Sequence, residues 1–208
     1  MTAPIGVVHH ARVASLGRIA QGLALAGAAA AVAVASTRPA GRELDAALFA
    51  DVNAGHGPEA DRLFRGVTEL GSLYAAGAAA GAIFVAGRRG PALRALGAAV
   101  ATWAAGQALK KVVDRPRPYQ ADAAGTRRMI APPTGTSWPS SHPAVLTSFT
   151  RVAARELSLG AAPRAVLTGL DLTVGTSRVY LGVHYPSDVA GGLLLGRAIA
   201  ALWPSART

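Results

Sequence analysis

Ser177-Arg-Val-Tyr-Leu-Gly-Val-His184-Tyr-Pro-Ser-Asp188 is a polar interruption between two apolar runs, at approximately 164–181 and 188–203. Proline is favoured at the first position of a helix, so Pro186 marks the start of a second helix after a short connection. The stretch therefore reads as the corner between two neighbouring antiparallel helices, with one arginine, one histidine and one aspartate exposed at the corner. Working outward, four more apolar runs appear at approximately 19–36, 69–87, 91–109 and 143–160, each bounded by charges or by proline and glycine. The pattern predicts an all-α bundle.

Composition favours a membrane setting for that bundle. Hydrophobic residues make up 51% of the 208 residues and charged residues only 15%, against about 25% in soluble domains. Much of the apolar content is alanine and glycine, which let helix backbones approach closely in a bilayer. A helix crossing the hydrocarbon core needs roughly 17–25 residues. The first three runs meet that length easily. The fourth contains Arg151, Arg155 and Glu156, the fifth Asp171, and the sixth is short and carries Arg197. About six transmembrane helices are expected, forming one membrane-embedded domain over 1–208.

The first run ends Ala33-Val-Ala-Ser36, which has the look of a signal-peptide cleavage site. It is longer than a signal core of about 7–15 residues, so it reads as a true span. Gly77 with Gly81, and Gly192 with Gly196, form small-xxx-small pairs expected at close helix contacts. Residues 37–68 mix charge with Leu48, Phe49, Leu63 and Phe64. They fit either an interfacial amphipathic helix or an ordinary polar connection with a short helix.

The net charge is +10, which points to an anionic partner. The basic residues are scattered over short loops without interleaved aromatics, so phosphate or anionic lipid headgroups fit better than nucleic acid. The absence of cysteine excludes thiolate chemistry and disulfides.

Six spans place both termini on one side and segments 37–68, 110–142 and 177–188 on the other. Those segments hold eleven of the 21 Lys and Arg residues, seven of them at 110–128 and 178. Setting those seven aside as phosphate ligands leaves the terminal side more positive, with Arg12, Arg18, Arg88, Arg89, Arg94, Arg164 and Arg207. That side is then cytoplasmic.

The chemistry-bearing residues fall on the opposite face, in three segments. Lys110-Lys-Val-Val-Asp-Arg-Pro-Arg117-Pro118 ends the third run. Pro139-Ser140-Ser141-His142 precedes the fourth. The third segment is the opening one. Lys110, Arg117 and Arg178 can surround one phosphate, the guanidinium forks matching its oxygens and the ammonium adding a point charge. Ser140 and the Ser141 amide sit where a helix N-terminus attracts anions. Asp188, about one turn from His184, can hold one ring nitrogen and leave the other free to attack. His142 can protonate a leaving oxygen. Plainer readings exist for single residues. His9, His10 and His56 read as interfacial, Arg115, Arg127 and Arg128 as solvated or headgroup-facing, and Asp188 as a carboxylate favouring a helix dipole. Asp171 is a functional candidate by its depth, although structural pairing with Arg151, Arg155 or Arg197 is favoured.

Together the segments resemble the three signature motifs of the type 2 phosphatidic acid phosphatase family: Lys-x6-Arg-Pro, Pro-Ser-Gly-His and Ser-Arg-x5-His-x3-Asp. Ser141 stands where the family has glycine, which could narrow the pocket or restrict the local backbone. The resemblance implies a lipid phosphate or pyrophosphate phosphatase, with isoprenoid or glycerolipid substrates and a phosphohistidine on His184. Asp188 is its partner, His142 the acid, and Lys110, Arg117, Ser140, Ser141 and Arg178 bind phosphate. No metal or cofactor is expected, and the active site is expected to face away from the cytoplasm. Two alternatives stand beside it: an enzyme similar to vanadate-dependent haloperoxidases, which share the pocket, and a non-catalytic lipid-binding or transport protein.

Overall fold

The structure, a computed structural model, describes residues 5–206, with side chains from Leu16 onward. His9, His10, Arg12 and Arg207 therefore lie outside the side chains described. Among the described residues all regular secondary structure is helical, in agreement with the all-α expectation. Helix α1 spans Ile5–Thr37, α2 Pro39–Asn53, α3 Pro58–Val67, α4 Leu73–Val85 and α5 Arg89–Lys110. After a four-residue helix α6 at Pro118–Ala121 come α7 Ser141–Glu156, α8 Ala161–Tyr180 and α9 Pro186–Leu202.

Proline sets several of the starts. Pro39, Pro58, Pro118 and Pro186 each occupy the first turn of a helix, where a missing N–H costs nothing. Helix α8 stops at Gly182, whose φ of +75° suits glycine. A Cβ there would also come within 2.7 Å of the Arg127 carbonyl oxygen.

Helix α7 is the axis of the bundle, buried along nearly its whole length from Pro143 to Ala154. Val145, Phe149 and Val152 pack against Ala76 and Ala80 of α4 and Ala95, Ala98 and Ala99 of α5. Small residues on α4 and α5 allow that approach. On the other flank, Gly192 and Gly196 of α9 face the carbonyls of Ser140 and Ala144. A Cβ at either glycine would lie 2.3–2.4 Å from those oxygens. The Gly192–Gly196 pair thus makes the close contact expected of it. The Gly77–Gly81 pair does not: a Cβ at either position would meet nothing within 4 Å.

Each of the six apolar runs coincides with helix, but the 69–87 run is not a straight span. A 3-10 turn at Thr68–Gly71 breaks it, and the helices on either side meet at 65°. Among the described residues, Leu16–Thr37 is the one helix long and apolar enough to cross a membrane unaided. The bent pair Pro58–Gly71 and Leu73–Val85 passes the same test only when taken together. Residues 37–68 contain α2 and α3.

Candidate active site

The ends of four helices converge on one side of the bundle: the C-termini of α5 and α8 and the N-termini of α7 and α9. This brings together Lys110, Arg117, Ser140, Ser141, His142, Arg178, His184 and Asp188, drawn from three segments separated by tens of residues. Burial is deep. Arg117 is 1% exposed, Ser140 and Asp188 are fully buried, and His184 is 2% exposed.

His184 sits in the connection between α8 and α9. Its Nδ1 faces Asp188 Oδ2 at 3.5 Å, a long contact of the kind that often tightens only with substrate bound. Nη1 of Arg117 lies 3.1 Å from Nε2. Arginine can only donate, so Nε2 is the acceptor and the ring proton belongs on Nδ1, facing the carboxylate. Burial, foremost, pushes the His184 pKa down to about 3, with Arg117 and Arg178 adding to the shift against the opposing pull of Asp188. The imidazole is therefore neutral near pH 7, with its Nε2 lone pair available.

Backbone carbonyls hold the cations in place. Arg117 donates to the oxygens of Gly135 at 3.0 Å, Val183 at 2.9 Å and Thr134 at 3.2 Å. Lys110 Nζ donates to Thr136 O at 2.8 Å. Burial first, then Arg117, lowers its pKa to about 8. Arg178 Nη1 donates to Thr68 Oγ1 at 2.8 Å, while its Nε is buried without a partner. Ser140 Oγ is likewise buried and unpaired. These orphaned donors and fixed cations form a cradle complementary to a tetrahedral oxyanion.

His142, in the first turn of α7, has its pKa held well below the usual value. Burial is the main cause, followed by Arg178, His184, Lys110 and Arg117. Gly71 lets the 3-10 turn press against it: a Cβ there would lie 2.7 Å from the His142 Cβ. The break in the second apolar run thus has a local purpose. It delivers Thr68 to Arg178 and Gly71 to His142. Ser141, where the family pattern has glycine, is the first residue of α7 and its φ is not positive. Its hydroxyl lies 3.5 Å from Gln107 Nε2 on α5, so the backbone accommodates it without strain.

Residues outside the expected set complete the site. Asp188 accepts from Ser137 Oγ, from the Tyr185 N–H at 2.8 Å and from Arg115 Nη1 at 2.6 Å. Arg115 reaches on to Asp45 Oδ2 of α2, also at 2.6 Å, beneath the Tyr185 ring with 4.3 Å to its centroid. Asp45 in turn accepts from Ser187, through its N–H at 2.9 Å and its hydroxyl. Arg115 is therefore buried between two carboxylates, which corrects the solvated reading. Arg127 is paired with Asp61, and Arg128 stacks over Tyr119 at 5.0 Å.

Asp171 lies far from this cradle. It accepts from Thr150 Oγ1 at 3.1 and 3.3 Å. No ion pair joins it to Arg151, Arg155 or Arg197 among the described residues, so the favoured pairing is not formed. No group of three or more His, Asp or Glu among them is placed to hold a metal ion.

Known proteins are similar to this chain in sequence and in fold. The chain is 38% identical over 128 residues to decaprenylphosphoryl-5-phosphoribose phosphatase of Mycobacterium tuberculosis, in both strains CDC 1551 / Oshkosh and H37Rv. The match covers 59% of this chain, and the chain spans 64% of the length of those relatives. The fold superposes on a transmembrane PAP2-type phosphatidylglycerolphosphate phosphatase from Bacillus subtilis with a TM-score of 0.71. That match has 24% identity and covers 86% of this chain and 92% of the other. LpxE of Aquifex aeolicus gives a TM-score of 0.67 at 26% identity, covering 76% and 92%. The apolar length of Leu16–Thr37 and this shared fold give the chain a membrane character. The family model described as the PAP2 superfamily matches residues 91–208, more than half of the chain and all three motifs, and the chain belongs to that superfamily.

Proposed function

We propose that the chain is a metal-independent lipid phosphatase working through a phosphohistidine on His184. The observation that carries the reading is the pairing at that ring: Nδ1 faces Asp188 and Nε2 faces Arg117. A phosphate taking the place of the ring as Arg117's partner meets the Nε2 lone pair in line. Lys110, Arg117, Arg178, Ser140 and the Ser141 amide hold its oxygens, and such positioning is most of what phosphoryl transfer requires. The Nε2–P bond forms as the bond from phosphorus to the leaving oxygen breaks, and His142 delivers a proton to that oxygen. The dianion offsets the surrounding cations and raises the His142 pKa, so the acid is charged when it is needed. Water then attacks the phosphohistidine, with neutral His142 accepting its proton, and inorganic phosphate leaves.

The lipid part of the reading rests on the membrane character and on the relatives, whose names specify an isoprenoid-linked sugar phosphate and a glycerolipid phosphate. Residues 1–208 act as one membrane-embedded domain crossing the bilayer several times, with α2 and α3 at the interface beside the site. The catalytic end faces away from the cytoplasm. The opposite end carries Arg88, Arg89, Arg94, Arg155 and Arg164, in keeping with the positive-inside bias.

Phosphate release from a panel of isoprenoid and glycerolipid monophosphates and pyrophosphates, in detergent with EDTA, tests the reading. The expected result is turnover of at least one lipid phosphate by the wild-type chain and none by His184→Ala. Activity that EDTA abolishes and Mg²⁺ restores would contradict metal independence. A requirement for vanadate would favour haloperoxidase-like chemistry.

A further inference from the structure

A second basic cavity, of about 380 Å³, lies at the end of the bundle remote from His184. Its wall carries Arg18 of α1, Arg151 and Arg155 of α7, Arg164 of α8 and Arg197 of α9, and no carboxylate. Five like charges around one cavity repel one another, and in a partly desolvated setting that repulsion is costly. The carboxylates nearby offset it only in part, Asp171 attracting Arg151 and Arg197 from beyond ion-pair distance and Glu156 pairing with Arg155. Glu156 is held by Arg94 at 3.0 Å and by Arg155 at 3.2 Å. Asp171 lines a smaller neighbouring cavity and is bonded to Thr150.

The arginines differ in how they are satisfied. Arg155 donates to the carbonyls of Ala200, Trp203 and Pro204, clamping the end of α9. Arg164 donates to Leu159 and Ala154. Arg151 and Arg197 make no hydrogen bond or ion pair to another described residue, and Arg197 Nε is buried without a partner. Two guanidinium forks thus stand ready for an anion, in a cavity whose wall continues into Leu25, Ala200 and Ala201. The α1 wall belongs to the apolar helix Leu16–Thr37, whose Leu16, Ile19 and Leu23 are exposed to the surroundings.

We propose that this cavity binds the phosphodiester headgroup of an anionic phospholipid, in the leaflet opposite the catalytic pocket. Arg151 and Arg197 grip the phosphate, Arg18 adds charge, and the Leu25 wall receives the start of the acyl chains. Charge complementarity selects an anion. The apolar wall beside a membrane-length helix selects a lipid over a free ion. The site is separate from the catalytic cradle and shares no residue with it.

The test uses the full chain in neutral detergent, with phosphatidylglycerol, phosphatidylcholine and inorganic phosphate as probes, read by native mass spectrometry and thermal unfolding. Phosphatidylglycerol should be retained and raise Tm in the wild type and in His184→Ala, and neither of the other two probes should give a rise that depends on Arg151 and Arg197. Arg151→Gln with Arg197→Gln should weaken retention about tenfold or more, because two charge-assisted contacts are lost, and should leave turnover unchanged. Arg18→Gln gives a second, milder variant should the double one not fold. Equal retention by wild type and variants would overturn the site. Equal shifts with phosphatidylcholine would remove the anion requirement, and an inorganic-phosphate shift that the Arg151→Gln, Arg197→Gln variant loses would overturn the lipid assignment.

Discussion

Arg115 binds the Asp188 oxygen that His184 does not face: Nη1 lies 2.6 Å from Oδ1, while Oδ2 is turned to the imidazole. His184 is thus the inner end of a buried chain running through Asp188 and Arg115 to Asp45 on α2. Each link is below 10% exposed, so the attractions act with little screening. The geometry makes Arg115 and Asp45 positioning residues that hold the Asp188 carboxylate toward the ring.

Arg115→Met should therefore lower kcat about 10–100-fold with little change in KM, the range seen when groups orienting a ligand shell are lost. It should also destabilise the fold by about 3–5 kcal/mol, because two buried carboxylates lose their shared counter-ion. Arg115→Lys keeps the charge but cannot span both carboxylates, so it should recover stability more than kcat. Steady-state kinetics beside detergent unfolding separate the two effects. A variant with normal kcat and low stability would reduce Arg115 to a structural role.

In the proposed mechanism Lys110 should set the alkaline limit of activity. Burial and the neighbouring Arg117 bring its pKa down from 10.5 to about 8. Below that pH the ammonium is charged and binds phosphate; above it the charge is lost, so kcat/KM should fall as pH rises through about 8. His184, with its pKa near 3, stays neutral across this range and contributes no limb there. Lys110→Arg should carry the fall upward in pH. A profile flat to pH 10 in the wild type would contradict this assignment.

Glycine substitutions should separate the two small-residue pairs. At Gly192 an added methyl meets the Ser140 backbone, so Gly192→Ala should cost about 1–3 kcal/mol and displace a phosphate ligand, lowering activity as well. At Gly77 the space is open, so alanine should be neutral or stabilising by up to about 1 kcal/mol from helix propensity. Unfolding in detergent, with turnover measured in parallel, checks both.

The chain has no cysteine, so single introduced thiols report sidedness directly. Ala123→Cys, on the exposed loop beside the catalytic cradle, should react with a membrane-impermeant maleimide in intact cells. Ala86→Cys, in the exposed turn at the other end of the bundle, should react only after permeabilisation. The reverse pattern would place the catalytic end in the cytoplasm.

The catalytic cradle was legible in the sequence because its residues cluster in three short segments with fixed internal spacings. Lys110 to Arg117 and His184 to Asp188 are local relationships that survive any packing. Thr68, Ser137, Asp45 and the role of Arg115 were not, because their meaning lies in contacts made across 51 to 110 positions. A signal for Asp45 did exist: it shares the buried face of α2 with Phe49 and Asn53, at helical spacing. A carboxylate on such a face needs a buried cation. The 69–87 run misled for a different reason. Hydropathy averages over a window and is blind to the bend at Ser72, where the 3-10 turn ends. For Asp171 the sequence favours an arginine partner, and the structure gives it the Thr150 hydroxyl of α7 instead.

The most direct measurement is acid-sensitive trapping of the enzyme intermediate. The purified chain is mixed with a turned-over lipid phosphate carrying labelled phosphorus, quenched in alkali within milliseconds, and digested for peptide mapping. The account predicts a phosphoryl label on His184, stable in base and labile in acid, that forms during turnover by the wild type and vanishes in His184→Ala. Turnover without any label on His184, or a label that persists in His184→Ala, would contradict it.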